Sequence, residues 1–385
     1  TVLGQHATVS DPVSGDQTWE KVVSKNLGLD LNMFNNRLSL TTDFYIRDTK
    51  GILGKGKSLP SIYGASEPQM NANNLRTKGY ELVLGWRDSF KLAGSTFSYG
   101  ITGTFSDYTA EYTKCDNPTG LIGDPYVGKK YGEIWGYKVD GLFRNDKEAA
   151  EYASRIDLST VASGYYTATG AYGKGVRGGD IKYLDLNGDN IVNGGKGTLD
   201  DPGDRRVIGN SSPRYQYGAS LNFSWYGFDV SVFMQGIGRL DWYPGADNLR
   251  FWGPYCRPYA TFVPKNFMSQ VWSEENPDAY FPRARAYTSL NSNSGTAYYT
   301  NDRYLQNLAY CRLKNLTIGY TIPRRLTSKV GIKECRIYFS GENLATWSAL
   351  KSDFLDPEQA AADSDKKANV YPWCKTYSIG LNLTF

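Results

Sequence analysis

Residues 376–385 read T-Y-S-I-G-L-N-L-T-F, and this strict alternation restricts the chain more than any other feature. Tyr377, Ile379, Leu381, Leu383 and Phe385 are apolar or aromatic, and the residues between them are small or polar. Successive side chains of a strand point to opposite faces, so one face is oily and the other wet. A strand that spans a membrane in a β-barrel has this pattern, with lipid outside and water inside. A half-buried strand of a soluble β-protein has it too. Recurrence along the chain separates the two readings.

The pattern recurs. Tyr215, Tyr217, Ala219, Leu221, Phe223 and Trp225 alternate with Gln216, Gly218, Ser220, Asn222 and Ser224. Phe97, Tyr99, Ile101 and Phe105 alternate with Ser98, Gly100, Thr102, Thr104 and Ser106, and Leu27, Leu29, Leu31 and Met33 follow the same rule. The wet positions are Gly, Ser, Thr and Asn, too hydrophilic for the inner face of a sandwich. Trp86, Trp225 and Tyr320 fall near strand ends, where interfacial girdles require aromatics. The fold expected is all-β, a transmembrane antiparallel β-barrel.

Composition agrees. The 385 residues include 30 Tyr, 41 Gly and 9 Trp, well above ordinary usage for Tyr. Mean hydropathy is −0.49, with no apolar run of transmembrane-helix length. A formal charge of +4, scattered along the chain, gives no footprint for nucleic acid. Thr1 opens a polar stretch without the regions of a signal peptide, so an outer-membrane protein of this sequence is expected to begin further upstream. The cysteines Cys115, Cys256, Cys311, Cys335 and Cys374 have no CxxC spacing and are expected to be free.

Period-two patterning predicts nine strands, near 22–33, 37–50, 74–87, 95–110, 213–225, 228–240, 308–322, 333–347 and 372–385. Asn35-Asn36, Tyr226-Gly227, Asp88 to Gly94 and Pro323 to Lys333 are short connections, whereas 51–73, 111–212, 241–307 and 348–371 are long. Short and long alternate without a break, as periplasmic turns and extracellular loops do in outer-membrane barrels. An odd number of strands leaves open edges, which lipid does not tolerate. The nine are therefore expected to be the C-terminal portion of a larger barrel. Residues 146–153 are expected to form a short helix, with Asp146 near its positive end.

Several segments resemble the C-terminal region of SusC/RagA-type TonB-linked outer-membrane transporters. They are W-E-K-x₄-N-L-G-L-D at Trp19–Asp30, F-N-N-R-L-S-L at Phe34–Leu40, N-L-R-T-K-G-Y-E-L at Asn74–Leu82 and G-E-I-W-G-Y-K-V-D-G-L-F at Gly132–Phe143. The most specific is G-D-I-K-Y-L-D-L-N-G-D at Gly179–Asp189, followed by D-R-R-V-I-G-N at Asp204–Asn210 and P-R-Y-Q-Y-G at Pro213–Gly218. The resemblance implies a barrel of about twenty-two strands, with a plug and a TonB-contacting segment upstream of these residues. It implies import of oligosaccharide or peptide across the bacterial outer membrane, loops facing the cell exterior. It further implies a SusD-like surface lipoprotein as partner and energy from TonB–ExbB–ExbD. A passive porin, or a secreted glycan-binding β-domain, is the alternative.

Two groups of residues are candidates for chemistry. Asp185, Asn187 and Asp189 stand at positions one, three and five of an EF-hand-like loop, with the Ile191 carbonyl at seven. Position twelve is Lys196, so Asp204, beyond an inserted Gly-rich segment, is the candidate displaced carboxylate for Ca²⁺. The other reading is an Asx-rich turn without metal. In the aromatic loop, Trp242, Tyr243, Trp252 and Tyr255, with Asp247 and Arg250, are candidates for contact with cargo or lipoprotein, or for packing of the loops. The single His6 stands near the first residue, and no catalytic constellation is legible.

Overall fold

The nine period-two segments pair into one antiparallel sheet in sequence order. Its strands are β1 (Lys21–Met33), β2 (Leu38–Lys55), β3 (Gln69–Leu92), β4 (Ser95–Lys114), β5 (Arg214–Trp225), β6 (Phe228–Arg239), β7 (Tyr310–Thr321), β8 (Glu334–Ser348) and β9 (Thr376–Thr384). The computed structural model describes residues 14–15, 17–55, 62, 68–167, 175–246, 248–256, 263, 265–285, 298–352, 354–362, 371 and 373–385. His6 and Asp247 lie outside them. Among the described residues, no helix is long and apolar enough to cross a membrane.

Register turns the alternation into continuous faces. Met33, Leu38, Trp86, Ile101, Leu221, Val232, Leu316, Gly341 and Tyr377 are paired neighbour to neighbour across all nine strands. On the opposite face, Arg87, Gly100, Asn222, Ser231, Thr317, Ser340 and Ser378 form an equally unbroken row. The apolar face is uncovered: Leu27, Leu84, Ile101, Ile318, Ile337, Ile379 and Leu381 are all exposed. On β3 the apolar residues Tyr80, Leu82, Leu84 and Trp86 lie between Lys78 on one side and Asp88, paired with Arg37 at 3.2 Å, on the other. From Lys78 to Asp88, at about 3.3 Å per residue and about 45° of tilt, the strand rises roughly 23 Å. That is close to the roughly 25 Å apolar band of an outer-membrane barrel. Burying such a face in water-free surroundings is what an uncovered apolar surface of this extent calls for.

β2, β3 and β4 are longer than the sequence pattern predicts, β7 and β9 are shorter, and one turn is tighter. Asp88 to Gly94 is expected as a short connection, but β3 continues to Leu92 and pairs with β4 down to Leu92–Ser95. Phe90 keeps the apolar alternation beyond Asp88, and the reversal needs only Ala93 and Gly94, both at positive φ (50° and 86°). Tyr226-Gly227 makes the same kind of turn, at 48° and 82°. A Cβ at Gly227 would stand 2.7 Å from the Thr321 carbonyl oxygen, so close approach of the next hairpin reinforces the choice of glycine. At the other end β2 extends to Lys55 and β3 begins at Gln69, which shortens the expected 51–73 loop. β1 and β9 are the two edges of the sheet, and every residue of β1 is exposed.

The densest core is not in the sheet. It is assembled from the long connections, where Phe143, Leu158, Val161, Val192, Trp252, Tyr304 and Leu308 have no accessible surface. Helix α1 (Asp146–Ala153) forms where expected, capped by the Asn145 side chain, which accepts from the Glu148 amide at 2.9 Å. Glu148 in turn accepts from the Arg144 amide, so both ends of the first turn are satisfied. Short strand pairs, Glu133–Tyr137 with Arg205–Asn210 and Val139–Leu142 with Ile181–Tyr183, hold this loop body together.

Candidate functional site

The loop body is joined to the sheet at the end opposite the tight turns, and its interior is aromatic. Of the residues singled out in the aromatic loop, Trp242, Tyr243, Trp252 and Tyr255 are buried, and Arg250 is half-buried. Asn248 caps the short turn that carries Phe251 and Trp252, accepting from the Phe251 amide at 2.9 Å. Trp252 meets Phe251 and Tyr304 edge to face, with ring centroids 4.7 and 5.1 Å apart. Its indole N–H donates to the Gly245 carbonyl at 3.0 Å. The Tyr243 hydroxyl donates to the Tyr299 carbonyl and accepts from Asn301 Nδ2 at 3.0 Å. Trp252 and Tyr243 thus hide their apolar bodies and satisfy their polar atoms locally, whereas the buried Trp242 indole N–H has no hydrogen-bond partner among the described residues. In this conformation the four rings lie in the buried core of the loop body rather than facing solvent.

The G-D-I-K-Y-L-D-L-N-G-D motif has a packing basis at both ends. Gly179 has φ +87°, and a Cβ there would lie 2.4 Å from the Trp272 ring. Asp180 is fully buried and accepts from Arg285 Nη1 at 2.6 Å and from the Arg177 amide at 2.8 Å. At the other end, Asp185 accepts from the amides of Gly188 and Asn190, and Asp189 from the amide of Ile191. Asn190 is left-handed at φ 67°, a conformation that Asn tolerates better than most residues.

Asp204 is drawn into this loop across the inserted segment, without accessible surface. Its two oxygens accept from the amides of Leu186 (2.6 Å), Asn187 (3.3 Å) and Asn193 (2.8 Å). The carboxylates as placed close the loop through its own backbone. Among the described residues, no group of three or more His, Cys, Asp or Glu is arranged to hold a metal ion. An ion at Asp185, Asn187 and Asp189 would share these side-chain oxygens with the backbone amides, using lone pairs that the hydrogen bonds leave over. Asp204→Ala is expected to destabilise the loop body by about 2–4 kcal/mol, because three amides lose a common acceptor. Thermal unfolding measured with chelator and with calcium checks this. A loss already complete in chelator assigns the role to the hydrogen bonds, and a loss seen only with calcium assigns it to the ion.

The polar face of the sheet carries the strongest charge cluster. Arg312, almost fully buried, is held by Asp356 at 2.6 Å, Glu358 at 2.7 Å and the Thr346 hydroxyl at 2.9 Å. Lys314, at the bulge between Leu313 and Asn315, adds a second contact to Glu358 at 2.8 Å. Asp356 and Glu358 belong to the last long connection, and Leu355 and Ala360 beside them are buried in the loop core. One segment therefore ties the loop body to the polar face. Further toward the turns, Arg336 grips Asp229 through Nε and Nη2.

A cleft of about 390 Å³ in the loop body remains open, lined by Trp135, Tyr137, Tyr299, Arg205 and the run Gly194–Gly197. Trp135 donates to Glu133 at 2.7 Å, and Arg205 donates to the Gly194 carbonyl at 2.7 Å. Aromatic faces beside a guanidinium and backbone groups suit a sugar ring or a peptide alike. The sequence offered Trp135 and Tyr137 only as part of the G-E-I-W-G-Y landmark, because Gly194–Gly197, Arg205 and Tyr299 reach the cleft from about sixty and more residues downstream.

No protein-family model matches the chain. It is 25% identical to TonB-dependent receptor P3 of Formosa agariphila, over 98% of this chain and 35% of that protein. TonB-dependent receptor SusC of Bacteroides thetaiotaomicron is 22% identical over 95% of this chain and 32% of its own length. Among solved structures, the RagAB peptide transporter superposes with a TM-score of 0.68 at 21% identity, covering 100% of this chain and 38% of that one. This chain resembles the SusC/RagA type of TonB-dependent transporter over almost its whole length. It spans about a third of the length of the curated relatives it matches. The SusC/RagA-type fold accounts for a sheet that is apolar and uncovered on one face, polar on the other, and crowned at one end by a packed loop body.

Proposed function

We propose that this chain forms part of the barrel wall and loop body of an outer-membrane importer that takes up oligosaccharides or peptides. The observation that carries this reading is the pair of unbroken rows, apolar on one face of the sheet and polar on the other. In a closed barrel the first would meet lipid and the second would line a water-filled passage. The edges β1 and β9 would be closed by further strands, since unpaired backbone groups are not tolerated in hydrocarbon. Names of relatives support the class: TonB-dependent receptors in two organisms, and a peptide importer among the solved structures. Energy coupling through TonB, a SusD-like lipoprotein over the loop body, and loops turned to the cell exterior complete the proposal. The open cleft beside Trp135 and Arg205 is the cargo-contact surface that this reading favours. Calcium at Asp185, Asn187 and Asp189 is a separate proposal, decided by the chelator comparison above.

Native mass spectrometry of the protein extracted from outer membranes in mild detergent tests the function. The expected result is a species well above 43.0 kDa that travels with a second, lipid-anchored protein. A lone species of 43.0 kDa that stays in solution without detergent would overturn the importer and favour a secreted binding domain.

A further inference from the structure

The apolar face ends, on the side of the long connections, in a basic groove. In the first complete row above Leu27, Phe44 and Tyr80, the paired residues are Lys25, Ile46, Lys78 and Thr109. Lys25 and Lys78 thus lie two strands apart, about 9.5 Å at the usual strand spacing, on the same outward face. Both are exposed, and neither makes a hydrogen bond or ion pair among the described residues. The groove of about 620 Å³ that they border is walled by Leu27, Phe44 and Tyr80. Arg214 closes its far side, with Nε and Nη2 each 2.6 Å from a carboxylate oxygen of Asp107. Three cations stand against one carboxylate, so the groove has a surplus of two positive charges.

We propose that this groove binds a phosphorylated, anionic lipid, with the headgroup phosphate between Lys25 and Lys78 and an acyl chain along Leu27 and Phe44. The proposal rests on the reading of the apolar face as membrane-embedded. Charge complementarity selects the lipid class. A zwitterionic headgroup brings a trimethylammonium or ammonium group that the surplus positive charge repels, whereas a phosphate diester without it gains from both lysines. The apolar wall directly below the lysines distinguishes the groove from a merely basic rim, because it offers the same molecule an acyl contact.

The test is native mass spectrometry of the full-length protein in dodecyl maltoside with added phosphatidylglycerol or phosphatidylcholine. Wild type is expected to retain phosphatidylglycerol preferentially. Lys25→Gln/Lys78→Gln is expected to weaken that retention on the order of thirty-fold, from the usual contribution of a basic residue at an anionic membrane surface. Lys21→Gln/Lys50→Gln, which removes the same charge from a paired row outside the groove, is expected to leave it unchanged. Equal retention of the two lipids, or equal loss in both double variants, would overturn the site. So would displacement of the lipid by millimolar inorganic phosphate alone, which would assign the lysines to free anion. The barrel reading fails separately, on a protein that needs no detergent at all.

Discussion

Arginine at position 84 should cost about 2–4 kcal/mol in a lipid bilayer, whereas arginine at the adjacent position 83 should cost within about 0.5 kcal/mol. The two residues are neighbours on β3, and both are partly exposed, at 48% for Leu84 and 38% for Val83. Accessibility therefore does not separate them. What separates them is the row each belongs to. Leu84 pairs with Leu40, which pairs with Leu31, in the middle of the apolar band. Val83 pairs with Thr41 and Thr104 on the polar face. A guanidinium at Leu84 would have to leave water, and one at Val83 would not. Equilibrium unfolding of both variants in lipid vesicles gives the comparison. Equal effects at the two positions would mean that the apolar face meets protein or water instead of lipid.

Removal of the Asp180 carboxylate is expected to cost about 3–5 kcal/mol and to loosen the loop body. Asp180 and Arg285 are both almost without accessible surface, and Asp180 Oδ1 has no hydrogen-bond partner. The guanidinium of Arg285 also stacks 4.2 Å over the Tyr165 ring. Asp180→Ala strands that guanidinium in the core, opposite an empty site. Limited proteolysis within 111–212 should report the loss as faster cleavage, with the sheet unaffected. Burial pushes the Asp180 carboxyl up to about 6, against the pull of Arg285. Its folded value is above the ordinary carboxylate range, so the folded state binds the extra proton between about 4 and about 6. The contribution of this group to stability therefore falls as pH rises through that window and is restored on acidification. Asp180→Asn should flatten this dependence, and a variant with the same pH profile as wild type would remove the assignment.

Much of the fold was legible because strand alternation is a local property. Each of the nine predicted strands exists, and the faces assigned from Tyr215 to Trp225 or from Tyr377 to Phe385 are the faces seen. Helix α1 was legible for the same reason, since Asn145, Asp146 and Glu148 are near neighbours. The extent of β3 was less so. Asp88 to Gly94 read as a short connection, but the partner strand supplies ladder bonds that carry the strand five residues beyond Arg87. The thiols of Cys115, Cys311 and Cys335 are free, in line with their spacing.

The site divides along the same line. A repeat of two fixes which residues share a face whatever the rest of the chain does, so the apolar and polar rows follow from sequence alone once strands are paired in order. Contacts between distant segments follow no repeat. The closure of Asp204 on Leu186 and Asn193, the clasp of Arg312 by Asp356 and Glu358, and the burial of Trp252 against Tyr304 join residues that the chain separates by loops. Composition could supply the aromatic and acidic residues for these contacts. Only the tertiary structure decided that the rings lie in a buried core and that the carboxylates bind backbone and arginine, because each depends on the exclusion of water by residues brought together from far along the chain.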